Sequence, residues 1–310
     1  MTGMNLLTLL VMGLIGSQAE AKKTAYLFTY FVGNGEDGLH LAWSPDGYKW
    51  QAVAGGKSLL QPKVGKARLM RDPCVTRGPD GTYHMVWTTG WWEDNIGYAS
   101  TRDILTWSDQ KAIPVMAHEP NVRNCWAPEI VWDQDQQEFV IFWSSTITGR
   151  FPQTAGSSES DLNHRIYYTT TKDFQTFSPT RLFYDPGFSV IDATLLQAEG
   201  RYYLIVKDET RYPPKKHLRI ASSDSIRGPF VDLSPPITPP GRWSEGPSAI
   251  RIGQYYVVYY DAYRDRFYAA ARSKDLRTWE DATAQMQFVK GMHHGTVIEV
   301  PMALVEHLEQ

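Results

Sequence analysis

The sequence predicts an all-β chain, a single-domain five-bladed β-propeller whose ring is closed by its N- and C-terminal strands. Three observations predict it. An apolar strand, a Ser/Thr-Lys/Arg-Asp turn and an aromatic recur as LAWSPDGYKW (41–50), YASTRDILTW (98–107), YTTTKDFQTF (168–177), IASSDSIRGPF (220–230) and AARSKDLRTW (270–279). A second phrase, strand–polar turn–strand, precedes four of these at 71–87, 128–143, 192–206 and 245–260. The end segments 26–50 and 293–300 each hold the half that the other lacks. Repeats of about 50 residues, each holding about four short strands, read as propeller blades.

The elements follow in order. Val, Ile, Tyr and Trp fill the strand phrases, as pleated and half-buried surfaces require. The closing aromatics Trp50, Trp107, Phe177, Phe230 and Trp279 mark one equivalent point per unit. No helical period of useful length follows the N-terminal segment. Tyr26 to Trp50 lacks an opening strand, and HHGTVIEV (293–300) is an opening strand without a successor. Joined, they complete one blade with the C-terminal strand innermost, and closure covers edges that would otherwise pair with other chains.

The chain has 310 residues, 42% of them hydrophobic, enough for one large domain. Its net charge of −3 comes without a basic stripe, which excludes a nucleic-acid-binding surface. Leu6 to Ile15 is apolar and Ala19-Glu20-Ala21 forms an A-x-A site, so residues 1–21 read as a secretory signal peptide and 22–310 as the propeller. A periplasmic or secreted monomer is expected, and no later segment is apolar enough to span a membrane. Cys74 and Cys125 lack a CxxC spacing and read as buried free thiols.

Aligned on the first aromatic of the second strand, four opening phrases place an acid at the start of the innermost strand: Asp72, Glu129, Asp192 and Glu245, with His294 in the fifth. Propeller geometry brings these starts together around the axis at one face. Converging carboxylates push their pKa values apart, the arrangement that glycoside hydrolysis uses. The longer loops return to the same face and carry Trp91 and Trp92, while inter-blade loops bring Trp126 and Trp243, aromatics suited to sugar rings.

With MRDPCV (70–75), CWAPEI (125–130), VIDATLL (190–196), SEGPSA (244–249) and HHGT (293–296) in this order, the chain resembles glycoside hydrolase family 43, the five-bladed arabinofuranosidases and xylosidases. The resemblance implies Asp72 as general base, Glu245 as general acid and Asp192 as the residue that tunes and orients that acid. It implies a carbohydrate substrate, inversion at the sugar, and no required cofactor. Glu129 is implied as a substrate or structural contact, and His294 as a candidate ligand of an axial calcium ion. A retaining fructosidase-like propeller and a non-catalytic sugar-binding propeller remain alternatives. The leader reading has a direct test: the protein recovered from its own host should begin at Lys22, and an intact Met1 would refute export.

Overall fold

A computed structural model describes residues 24–310, so the expected leader at 1–21 lies outside the described residues. Five antiparallel sheets form the blades. Blade 1 takes β1 (Thr24–Tyr30), β2 (His40–Ser44) and β3 (Gln51–Ala52) from one end of the chain. Blade 2 holds β4 (Arg71–Arg77), β5 (Tyr83–Thr88), β6 (Ile96–Thr101) and β7 (Lys111–Ile113). Blade 3 holds β8 (Trp126–Asp133), β9 (Glu138–Thr146), β10 (His164–Thr171) and β11 (Arg181–Tyr184). Blade 4 holds β12 (Val190–Ala198), β13 (Arg201–Asp208) and β14 (His217–Ser223). Blade 5 holds β15 (Glu245–Ile252), β16 (Tyr255–Ala262), β17 (Phe267–Ser273) and β18 (Glu280–Asp281). The last strand, β19 (Val297–Pro301), pairs with β1 in the register Phe28–Val297 to Thr24–Pro301 and becomes the innermost strand of blade 1. The ring closes as the two half-units require.

Five apolar cores lie between neighbouring blades, and the middle strands feed two of them at once. Val140 and Phe142 of β9 face Leu204 and Val206 of blade 4, whereas Ile141 and Trp143 face Val86 and Ile96 of blade 2. A strand buried on both faces reads as a continuous apolar run, which is why FVIFW and YVVYY show no polar alternation. Cys74 and Cys125 are free and buried in this packing, as expected.

The repeated Asp turn closes the outer half of four blades. Asp103 Oδ1 accepts from the backbone N–H of Leu105 (2.9 Å) and Thr106 (2.7 Å) and from Thr101 Oγ1 (3.0 Å). Asp173 and Asp275 do the same in their blades. The residue after each Asp takes positive φ: Gly47, Ile104, Phe174 and Leu276 at 74, 65, 53 and 59°. Three of these are not glycine and tolerate it because their side chains are buried in the inter-blade cores.

Two features depart from the sequence reading. Blade 4 has three full strands, and its outer edge is a single Ser222–Val231 bridge. Ser225 replaces the turn Asp there, and Pro235, Pro236, Pro239 and Pro240 supply no N–H to extend an edge strand. A short helix, α1 (Met302–Leu308), follows β19 and packs Val305 and Leu308 into the core between blades 1 and 2. Seven residues are too few for a period to show in the sequence.

The turns yield a stability prediction. Asp103→Ala should cost about 1–2 kcal/mol, the usual loss for a side chain capping two backbone N–H groups. Asp224→Ala, in the blade that lacks the cap, should change stability by less than about 0.5 kcal/mol. Urea midpoints compare the two, and equal losses would refute the role of the turn. The acid side follows from Asp275, whose hydrogen bonds to the N–H of Thr278 and Arg277 lower its pKa to about 2. That contribution is complete above the unfolded carboxylate pKa of about 3.9 and is lost as pH falls toward 2.

Candidate active site

The innermost strand of every blade carries an extra residue where it begins. Arg71 pairs with Thr88 but Cys74 with Val86, so three steps on β4 oppose two on β5. The same slip separates Trp126 from Glu129, Ile191 from Thr194, and Glu245 from Ser248. In blade 1 His293 N–H donates to Phe31 O and Thr296 N–H to Thr29 O, again three steps against two. These are β-bulges. The residue after the first pair has left-handed backbone in four blades: Asp72, Ala127, Asp192 and Gly246, with φ of 52, 45, 53 and 57°. Asp tolerates this region better than most residues and Gly does so freely.

The bulge cancels strand alternation, so two consecutive side chains reach the same space. The first positions are Arg71, Trp126, Ile191, Glu245 and His293, and all five line one cavity of about 390 Å³. Asp72, Asp192 and His294, from the second positions, form its floor. Trp91 and Trp92 close one side, with Trp126 edge-on to Trp91 at 5.5 Å. Asp72, Asp192, Glu245, Trp91, Trp92, Trp126 and His294 are therefore brought together as the sequence indicated. Their register differs from that reading. The acids are not equivalent positions: Asp72 and Asp192 are second in their bulges, Glu245 is first and Glu129 is fourth. The turns of blades 4 and 5 are both two residues long, but the first aromatic is the second residue of β13 (Tyr202) and the first of β16 (Tyr255), and the turns of blades 2 and 3 are longer, so counting back from an aromatic misaligns the blades.

Charge is paired throughout the floor. His294 Nδ1 lies 3.3 Å from Asp72 Oδ1, and Thr88 Oγ1 donates to Asp72 Oδ2 at 2.7 Å. Burial pushes the Asp72 carboxyl up, but the hydrogen bond and charge of His294, aided by Arg71 and Thr88, hold it below its ordinary value. Burial alone would deprotonate His294; Asp72, with Asp192 and Glu129, raises it to about 9 instead. Asp192 is raised to about 6, first by burial and then by Glu245, against the pull of His294. Its Oδ2 accepts from Gly246 N–H at 3.0 Å, which ties it to the backbone beside Glu245. Glu245 Oε2 accepts from Lys207 Nζ at 2.9 Å.

The profile of a family described as "Probable glycosyl hydrolase domain", the family 43-related glycosyl hydrolases, matches residues 22–306. The chain belongs to this family. An α-L-arabinofuranosidase of Bifidobacterium longum subsp. longum is 25% identical over 221 residues, which take in 60% of this chain and 21% of that protein. The chain thus spans about a fifth of the curated relative it matches. The crystal structure of an α-L-arabinofuranosidase from Lactobacillus brevis superposes with a TM-score of 0.54 at 16% identity, over 68% of this chain and 72% of that one. An exo-β-1,3-galactanase from Phanerochaete chrysosporium gives 0.53 at 11%, over 74% and 51%. A xylan β-1,4-xylosidase from Bacillus halodurans gives 0.51 at 16%, over 70% and 44%. At these identities the structures share the fold.

Within this family 43-related glycosyl hydrolase, two expected sugar contacts lie elsewhere. Trp243 does not line the cavity. The guanidinium groups of Arg264 (4.8 Å) and Arg211 (5.1 Å) and the Lys216 ammonium (5.8 Å) occupy its ring. Glu129 is 4% exposed and lies beneath the floor on the axis, where its Oε2 accepts from Thr194 Oγ1 at 3.0 Å. Burial raises its carboxyl to about 8, which leaves it neutral at neutral pH. Among the described residues no group of three His, Cys, Asp or Glu side chains is placed to hold a metal ion, and His294 Nδ1 is engaged with Asp72.

The sequence reading missed Arg71, Lys207, Asp261 and His293. Lys207 is 2% exposed and lies between Glu245 and Glu209, at 2.9 and 2.8 Å. Burial opposes its charge, yet Glu209 and Glu245 keep its pKa well above the ordinary lysine value. His293 Nδ1 donates to Asp261 Oδ2 at 2.6 Å, and the imidazole stacks on Phe31 at 5.3 Å. The positions preceding Asp72 and His294 would have pointed to Arg71 and His293. Lys207 and Asp261 sit on the partner strands, opposite Ile191 and Glu245, and only pairing reveals them.

The His294–Asp72 pair yields a pH prediction. A histidine raised in the folded state contributes stability that is complete below its unfolded pKa of about 6.5 and is lost as pH rises through about 9. The Tm should therefore fall between pH 7 and 9.5, and the fall should shrink in His294→Gln. An identical fall in both proteins would show that the imidazolium is not held as described.

Proposed function

We propose that the chain is an exo-acting, inverting glycoside hydrolase that releases a terminal pentose or furanose from plant-type glycans. α-L-Arabinofuranose is the first choice, followed by β-xylose and galactofuranose. The observation that carries this reading is the meeting of Asp72, Asp192 and Glu245 in one cavity walled by Trp91, Trp92 and Trp126. The arabinofuranosidase relative supports the choice of sugar. Glu159, Ser160 and Leu162 of the long loop between β9 and β10 wall one side of the cavity, which supports exo action.

In this reading Asp72 is the base. His294 and Thr88 hold its carboxylate ionised and oriented, so it can polarise a water on one face of the sugar. Glu245 protonates the leaving oxygen on the opposite face. To take up that proton Glu245 must loosen its bond to Lys207, and Glu209 offers the ammonium a second carboxylate at 2.8 Å. Asp192, bound to Gly246 N–H, fixes the backbone beside the acid.

The roles separate by leaving group. Glu245→Gln cannot donate a proton, so kcat/KM on an arabino-oligosaccharide should fall about 10²–10⁴-fold, the usual size of acid assistance. The loss should be smaller on an aryl arabinofuranoside with an acidic phenol. Asp72→Asn should lose similarly on both, since both need the activated water. NMR of the first-formed sugar should show inverted anomeric configuration. Equal losses for Glu245→Gln on the two substrates, or a retained configuration, would overturn the assignment.

A further inference from the structure

A second cavity, of about 630 Å³, adjoins the first. Asp261, Tyr263 and His293 line both and form the partition between them. The rest of its wall comes from the turn after β16, the start of β17 and the segment 288–292, none of which the reading above uses. Phe267, 39% exposed and with the Arg242 guanidinium 5.3 Å from its ring centre, and Phe288 supply aromatic rings.

The two spaces differ in charge. Six carboxyl side chains line the first cavity, including Asp72, Asp192, Glu245 and Glu209. The second has one carboxylate, Asp261, which His293 already holds at 2.6 Å. Against it stand Arg266 and Lys290. Among the described residues neither has a carboxylate oxygen within 4.0 Å, the distance at which the chain's other ion pairs form. A concave wall with two uncommitted cations and exposed rings favours a ring-shaped ligand that carries negative charge.

Position adds a direction. Asp261 pairs directly opposite Glu245 across β15 and β16, so the second cavity lies on the side of the acid. An acid donates to the leaving oxygen, so whatever departs lies on that side. Resting on the hydrolase reading for this direction, we infer that the second cavity is a leaving-group subsite for an anionic sugar. The recognised group is the carboxylate of a uronate or the sulfate ester of a sulfated sugar, held by Arg266 and Lys290 over the Phe267 and Phe288 rings. The substrate would then be a neutral terminal sugar attached to an acidic one.

Two measurements test this. In the first, Asp72→Asn protein is titrated by ligand-observed NMR with D-glucuronate, D-galacturonate, glucose 6-sulfate and D-glucose. At least one anionic sugar should bind about tenfold tighter than glucose, and binding should weaken as salt rises. The preference should vanish in an Arg266→Gln, Lys290→Gln background whose Tm matches the parent. Which acidic sugar binds identifies the charged group. Binding no tighter than glucose, or a preference unmoved by the double substitution, would overturn the proposal. In the second, wild-type kcat/KM is compared on an arabinosyl uronate and its methyl ester. A ratio of about ten that falls toward one in the double variant supports the subsite, and a ratio of one in wild type refutes it. If no glycoside is cleaved, the hydrolase reading fails, and the titration still decides the anion site.

Discussion

The extra residue at the start of each innermost strand is the constraint on which the site depends. A regular strand would send alternate side chains to opposite faces and leave one per blade at the axis. The bulge sends two, so Arg71–Asp72 and His293–His294 enter the cavity as adjacent pairs. It also frees backbone donors, and neighbouring blades receive them. Ala127 N–H donates to Thr88 Oγ1 at 2.8 Å, Asp192 N–H to Ser144 Oγ at 3.2 Å, and Gly246 N–H to Asp192 itself. The strained backbone is thus anchored from blade to blade. At Gly246 the anchoring leaves no room: a Cβ there would approach that of His294 to 2.5 Å, so only glycine fits.

A chain of alternating charges leads from this floor to the rim. It runs from Glu245 through Lys207, Glu209, Lys216 and Glu159 to Arg211, with contacts of 2.9, 2.8, 2.5, 3.9 and 2.9 Å. Lys207 and Lys216 are nearly fully buried, and such charges persist only where partners replace water. The chain joins the loop between β9 and β10, which carries Glu159, to the loop between β13 and β14, which carries Glu209 and Lys216. Two long loops are thereby tied to the carboxylate at the start of β15. Two cations of this network, Arg211 and Lys216, also lie near the Trp243 ring, at 5.1 and 5.8 Å.

The sequence by itself determined the ring: its blade number, its closure and the face on which the acids converge. Those follow from local chemistry. Each Asp turn is completed within a few residues, each middle strand is apolar because both its faces are buried, and half-units at the two ends can be satisfied only by pairing with each other. The acids Asp72, Asp192 and Glu245 were legible for the same reason, since each belongs to a short phrase at a fixed place in its blade. Tertiary structure alone decided their relation. The bulge slips each pairing by one residue, and the turn lengths and the place of the first aromatic vary between blades, so a count along the chain sets Glu129, Asp192 and Glu245 level although Glu129 lies at the axis and Glu245 on the wall. Lys207, Asp261 and the cations near Trp243 come from other strands and loops. Distances between charges in a low-dielectric cavity, which set which group holds a proton, have no counterpart in residue spacing.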